Sequence, residues 1–180
     1  YTGRIFIANN VIYGFTGGDS ATNVGIGNMD GIYTTIYNNT VSNCKTGIYR
    51  NATVGTVVAY NNAVFNNNDD FNGTMTLSHN ASDDLDGTNA IDISPASFAT
   101  EAAAWTAAFR DYVNGDFRLR DQASVLYNSG TTIVTVTDDI RGVARPQYGA
   151  YDVGAFEFDG LKPTVQVEGN LRIEGAVKIE

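Results

Sequence analysis

The chain of 180 residues is long enough to bury one core, and with 43% hydrophobic against 17% charged residues it lies outside the compositions that stay disordered. A net charge of −9 with no basic stripe excludes nucleic acid as the expected partner, and no apolar run approaches the roughly 20 residues that insert across a bilayer. The single cysteine, Cys44, excludes an internal disulfide framework and a thiolate zinc site, and reads as a small buried apolar side chain.

The opening, YTGRIFIANN, has neither a Met nor the pattern of a signal peptide and reads as the start of a fragment or a processed chain. Sixteen of the nineteen asparagines precede position 90, a bias that points to an internal repeat. FIANNVIYGF, TIYNNTVSNC, VAYNNAVFNN and TLSHNASDDL align so that Asn10, Asn39, Asn62 and Asn80 form one column, with spacings of 29, 23 and 18. Each copy carries a short alternating stretch, a corner, a second alternating stretch and a Gly or Asp turn. The pairs Ile5 and Ile7, Thr34 and Ile36, Val57 and Ala59, and Met75 and Leu77 are predicted to point inward before the corner. Val11 and Tyr13, Val41 and Asn43, and Val64 and Asn66 are predicted to continue the alternation after it.

No copy is long enough to bury its apolar face alone. Stacking solves this, because each turn of chain then pairs its strands with those above and below at about 4.8 Å. The predicted fold is all-β: a right-handed parallel β-helix with one short helix and a C-terminal β extension. Asn suits its corners because it tolerates the left-handed backbone region and because its amide donates and accepts along a column of like amides. A buried amide without a partner costs about 1 to 3 kcal/mol, so Asn10, Asn39, Asn62 and Asn80 are expected to form a structural ladder.

The helix is predicted over about 95–112, in SPASFATEAAAWTAAFRDYVNG. Ser94 precedes Pro95 as a cap, Phe98, Ala102, Trp105 and Phe109 share one face, and Gly115 ends the element. That face reads as packing against the scaffold. The β-helix domain with its closing segment is assigned to 1–160 and the β extension to 161–180.

YNNTVSNCKTGIYRN and YNNAVFNNNDDFNG resemble coils of the pectate-lyase-like right-handed β-helix superfamily. NGDFRLRDQASVLYNSG, followed by DDIRGVARPQYGAYDVGAFEF, is similar to the closing segment of bacterial surface proteins of the choice-of-anchor type. Together the likenesses span about residues 1–158 and imply an extracellular or surface-exposed protein. Residues 163–180 carry Val167-Glu-Gly and Ile173-Glu-Gly six positions apart, with Ile179-Glu starting a third unit. These hexads resemble the shafts of trimeric phage fibres and spikes, which implies self-association as a homotrimer on a virion appendage. The other reading of the same residues is a last coil or cap strand laid on the β-helix.

Functional residues follow from the turns and the aromatics. His79 occupies the column of Asn9, Asn38 and Asn61 and reads as their hydrogen-bonding substitute, with no nucleophile set around it. Asp69–Asp70 and Asp83–Asp84 lie at corresponding turns, so Asp70 and Asp84 are the catalytic candidates for paired-carboxylate chemistry on a polysaccharide. A superfamily lyase needs calcium and a basic residue, and Arg4, Lys45 and Arg50 match no catalytic motif. Asp84, Asp86, Thr88 and Asp92 have the odd-numbered spacing of a calcium loop, but Pro95 stands where the twelfth-position Glu belongs. Asp84 and Asp86 are therefore the metal candidates, and no cofactor beyond calcium is expected. The sequons at Asn38, Asn51, Asn72 and Asn80 follow from the Asn-rich turns.

Tyr33, Tyr37, Tyr49 and Tyr60 are the candidates for stacking on sugar rings of surface glycans. The expected function is a non-enzymatic structural or attachment module of an extracellular surface or virion appendage. The alternative is a polysaccharide depolymerase, hydrolase or lyase, of the β-helix superfamily.

Overall fold

A computed structural model describes residues 3–17, 23–29, 32–51 and 55–160. The alternating stretches form short strands: β1 (Arg4–Ala8), β2 (Val11–Tyr13), β3 (Val24–Asn28), β4 (Tyr33–Tyr37), β5 (Thr40–Ser42) and β6 (Thr46–Arg50). They continue as β7 (Val57–Tyr60), β8 (Ala63–Phe65), β9 (Phe71–Asn72), β10 (Thr76–Ser78), β11 (Ala81–Ser82) and β12 (Ile91–Asp92). Three sheets collect them, in the orders β1-β4-β7-β10, β12-β11-β8-β5-β2 and β3-β6-β9, and every pairing within them is parallel. The first three passes of the chain visit the three sheets in the same order, after which β10, β11 and β12 add strands to the first two sheets only, and the described protein is mostly β with parallel sheets and one α-helix.

Registry explains the repeat. Ile5 pairs with Thr34 and Thr34 with Val57, while Ile7, Ile36, Ala59 and Leu77 form the next column. Ile36 and Ala59 are fully enclosed, and Ile7, Met75 and Leu77 pack against the same interior cluster as Ile26, Val41, Ile48 and Val64. Each buried branched side chain contributes about 1.5 to 3 kcal/mol, and no single pass supplies enough of them to fold alone. Cys44 is in this interior, reduced and buried, and its burial pushes the thiol pKa up.

After the corner the expected phase holds at Val41 and Val64 but not at Val11 and Tyr13. Ile12, Val41 and Val64 share the inward column, whereas Val11, Ala63 and Phe65 face the other way. The cause is a second layer. The helix α1 (Glu101–Ala108), the antiparallel pair β13 (Phe109–Asp111) and β14 (Asp116–Leu119), and the closing residues to Phe158 cover the outward face of the second sheet. Phe65 stacks on Phe109 at 4.9 Å and meets Trp105 and Phe117 at 5.6 and 6.0 Å. A sheet covered on both faces loses the apolar–polar alternation that marks its inside.

The helix is shorter than the sequence pattern predicts. Thr100, extended at φ −152° and ψ 154°, caps it by accepting a hydrogen bond from the Ala103 N–H. Phe109 leaves the helix for the strand pair, and Ala104, Trp105 and Ala108 are its buried residues. Residues 161–180, with the predicted β extension and its trimeric reading, lie outside the described residues.

Candidate functional site

The two corner residues divide two tasks. The first of each pair, Asn9, Asn38, Asn61 and His79, takes the left-handed backbone at φ 57°, 51°, 56° and 51°. The second builds a ladder. Asn10 Nδ2 donates to Asn39 Oδ1, Asn39 Nδ2 to Asn62 Oδ1 and Asn62 Nδ2 to Asn80 Oδ1, each at 2.9 Å. The same oxygens accept the backbone N–H groups of Asn10, Asn39 and Asn62 at 3.0, 3.0 and 2.9 Å. Asn39, Asn62 and Asn80 are wholly buried, so the rungs they form with one another are shielded from competing water, whereas Asn10 is exposed.

The first-corner amides turn outward and hold the closing segment. Asn9 Nδ2 donates to the Asp138 carbonyl at 2.6 Å and Asn38 Nδ2 to the Asp152 carbonyl at 3.1 Å. Asn61 exchanges two bonds with the Thr131 backbone, at 2.7 and 2.9 Å. Gly154, at φ +98°, passes so close that an added Cβ would lie 2.8 Å from Thr40 Oγ1. At the end of this column His79 Nδ1 lies 2.8 Å from Ser78 Oγ and Nε2 3.3 Å from Asn89 Nδ2, so an amide occupies the place of an orienting carboxylate.

Docking the closing segment leaves a groove on the outward face of the first sheet. Its volume is about 310 Å³, and Arg4, Phe6, Tyr33, Thr35, Tyr37 and Thr135 line it. Arg4 pairs in register with Tyr33 and Phe6 with Thr35, and the Arg4 guanidinium lies 5.2 Å from the Tyr33 ring centre. Phe6 is 53% exposed and Tyr33 38%. Tyr37 is half-buried, edge-on to Phe6 and stacked on Tyr60 at 5.8 Å, with both tyrosines packed against Ile133, Val136 and Tyr151. Burial, then the neighbouring Tyr33 and Tyr60, push the Tyr37 phenol above its usual range. Three of the four tyrosines that the sequence suggests therefore share one face. Tyr49 lies on β6 in the third sheet, away from them. Arg4, Phe6, Thr35 and Thr135 are additional groove residues, and the first three were detectable as the outward positions of β1 and β4.

Stacking does bring the two Asp turns together. Asp70, 1% exposed, accepts from Asn67 Nδ2 and from the Asp83 backbone N–H, both at 2.9 Å. Asp83 in turn accepts from the Asn66 N–H at 2.8 Å and from Trp105 Nε1 at 3.1 Å. Burial, reinforced by the charges of Asp83 and Asp84 and opposed by the two donors, pushes the Asp70 carboxyl up to about 7. Enclosed in this way, Asp70 ties one turn to the next and does not meet a polymer in solution. Asp84 is exposed, and Asp86 is half-buried with its pKa raised by burial and by Asp84 and Asp69. Among the described residues no three acidic, His or Cys side chains converge in a group able to hold a metal.

No protein-family model, curated protein or solved structure matches this chain.

Proposed function

We propose that the three parallel sheets wind as a right-handed parallel β-helix, and that this stiff body is a non-enzymatic attachment scaffold contacting glycans on an extracellular, cell or virion surface. The handedness rests on the general preference of parallel crossover connections. Stiffness rests on the amide ladder and on strands paired on both sides through the middle of each sheet. The surface setting rests on the resemblance to secreted β-helix proteins.

The groove of Arg4, Phe6, Tyr33 and Tyr37 carries the glycan reading. Exposed aromatic faces held by registered strands offer a sugar ring a flat apolar contact without reordering, and Thr35, Thr135 and Arg4 supply hydrogen-bonding groups at its margin. The depolymerase alternative draws no support from Asp70, which is enclosed.

The test is a glycan array followed by calorimetry on each positive sugar. Phe6→Ala with Tyr33→Ala is expected to weaken binding at least about tenfold, or about 1.4 kcal/mol, whereas Tyr49→Ala leaves it unchanged. A wild-type protein that retains no glycan, or equal binding by the double variant, would overturn the reading.

A further inference from the structure

Among the described residues nothing pairs with the outer edge of β1, β2 or β3. Each is the edge strand of its sheet, all three at the same end. Ile5 belongs to an inward column yet is 42% exposed, and Met29 beside it is 44% exposed. A cavity of about 250 Å³ opens there, floored by Ile5, Ile7, Ile26 and Ile32. Among the described residues Asn28 Oδ1 is buried at this end without a donor. The ladder also stops here: Asn10 is its exposed terminal rung, at the position where each later rung accepts two N–H groups from the pass before it. An edge of this kind, apolar and rimmed with unpaired backbone, is a template for another strand.

Residues 164–173, TVQVEGNLRI, repeat the grammar of residues 4–13, RIFIANNVIY, without a gap. Val165 and Val167 match the inward Ile5 and Ile7. Gly169 matches Asn9, whose φ of 57° a glycine adopts at no steric cost. Asn170 matches Asn10. Leu171 and Ile173 match Val11 and Tyr13, the residues facing the outer layer. The described chain also ends on the appropriate side, because Asp159 pairs with Arg141 at 3.5 Å, and Asp138, three residues before Arg141, receives the Asn9 amide.

We propose that residues 164–173 dock in cis on this open end as a strand, a corner and a second strand, with Asn170 adding one more rung above Asn10. The occupant is this segment of the same chain, which favours the cap over the trimeric shaft as the reading of the C-terminal extension. Arg172 falls on the column of Ile12 and Val41. At the last level its stem covers the apolar floor while the guanidinium reaches water, and its charge blocks any further pass. The match ends there. Lys178 would fall on the column of Gly25 and Gly47, where a Cβ meets the adjoining pass at 2.3 Å, so residues 177–179 are not part of the docked unit.

The experiment uses the full chain in a Cys44→Ala background with Phe6→Cys and Gln166→Cys. These are outward positions in register, on strands about 4.8 Å apart, within disulfide reach. Mild oxidation is expected to close an intramolecular bond in a monomer. The slipped pair Phe6→Cys with Val167→Cys should close at least about tenfold less, because a one-residue shift turns the side chain to the opposite face. Equal yields from both pairs, no bond in either, or bonds only between chains would each overturn the proposal, the last in favour of an exchanged segment. With Cys44 intact, Asn170→Ala should speed amide exchange of Ile5–Ala8 at least about tenfold, and unchanged exchange also overturns it.

Discussion

The repeat and the closing segment bury polar groups with opposite chemistry. In the repeat the groups that bridge successive passes at the corner are neutral amides, each donating and accepting along the stack, with Asp70 as the enclosed acid at a turn. In the closing segment the interior polar groups are ions. Arg145 and Glu157 pair at 2.8 Å with side chains 0% and 1% exposed, and Asp139 binds Arg141 at 2.9 Å. Arg145 also donates to the Asp152 and Gly154 carbonyls, while Glu157 accepts from the Gln147 and Asp152 N–H groups. A neutral ladder extends by repetition, because every rung presents the group that the next one needs. An ionic knot closes on itself and has no repeat to propagate, which suits the segment that fastens the stacked parallel strands along their side.

Removing one ion sharpens that contrast most. Burial pulls the Arg145 pKa down and pushes the Glu157 pKa up, so each charge persists through the other. Arg145→Met is expected to cost about 3 to 5 kcal/mol at neutral pH, because Glu157 is left charged and enclosed. Urea unfolding measures it. A loss below about 1 kcal/mol would mean that the knot is dispensable to the closing segment.

Acid acts on both regions next, because the ladder amides do not titrate but each region also buries one carboxyl, Asp70 in the repeat and Asp152 in the closing segment. Asp70 and Asp152 are both raised from 3.8 to about 7, chiefly by burial. Between about pH 4 and about pH 7 the folded chain therefore holds protons that the unfolded chain has lost, and stability falls as pH rises through that window, levelling above it. For Asp70 the ceiling is about 4 kcal/mol, from roughly three pKa units. Asp70→Asn is expected to flatten its share of the profile, at a cost of about 1 kcal/mol at the acid end, where one oxygen acceptor becomes a donor. An unchanged slope in that variant would remove Asp70 as its source.

Much of the repeat was legible because it is periodic. The inward pairs before each corner, the Asn column and the Asn9–His79 column follow from spacing alone, since a registered stack repeats any constraint that one pass imposes. What spacing does not carry is the second layer. Val11 and Tyr13 look inward to a pattern that assumes one buried face, yet they lie under Phe117 and its neighbours. The helix start at Thr100 instead of Ser94 depends on where the chain meets Phe65, a contact no local window contains. The groove was half legible: Tyr33 and Tyr37 were marked by enrichment, whereas Thr135 arrives only through the closing segment, and Asp70 looked accessible until Asn67, Asp83 and Trp105 were placed around it.

Within the ladder, position decides the effect, and this is the smallest difference expected. Asn62→Ala removes the oxygen that serves Asn39 twice and the amide that serves Asn80 and the Ile36 carbonyl, all in buried surroundings. The polar groups left without partners there cost about 2 to 3 kcal/mol in sum after relaxation. In an Asn170→Ala background Asn10→Ala removes a donor to Asn39 at an exposed rung, where water replaces much of what is lost, and is expected to cost about 1 kcal/mol or less, whereas with residues 164–173 docked its cost is expected to rise toward that of Asn62→Ala. The gradient is the informative quantity. Equal losses at Asn10 and Asn62 would show that the terminal rung is as shielded as the middle ones, and hence that something covers the open end in solution; Asn170→Ala would then have to abolish the equality if residues 164–173 are the cover.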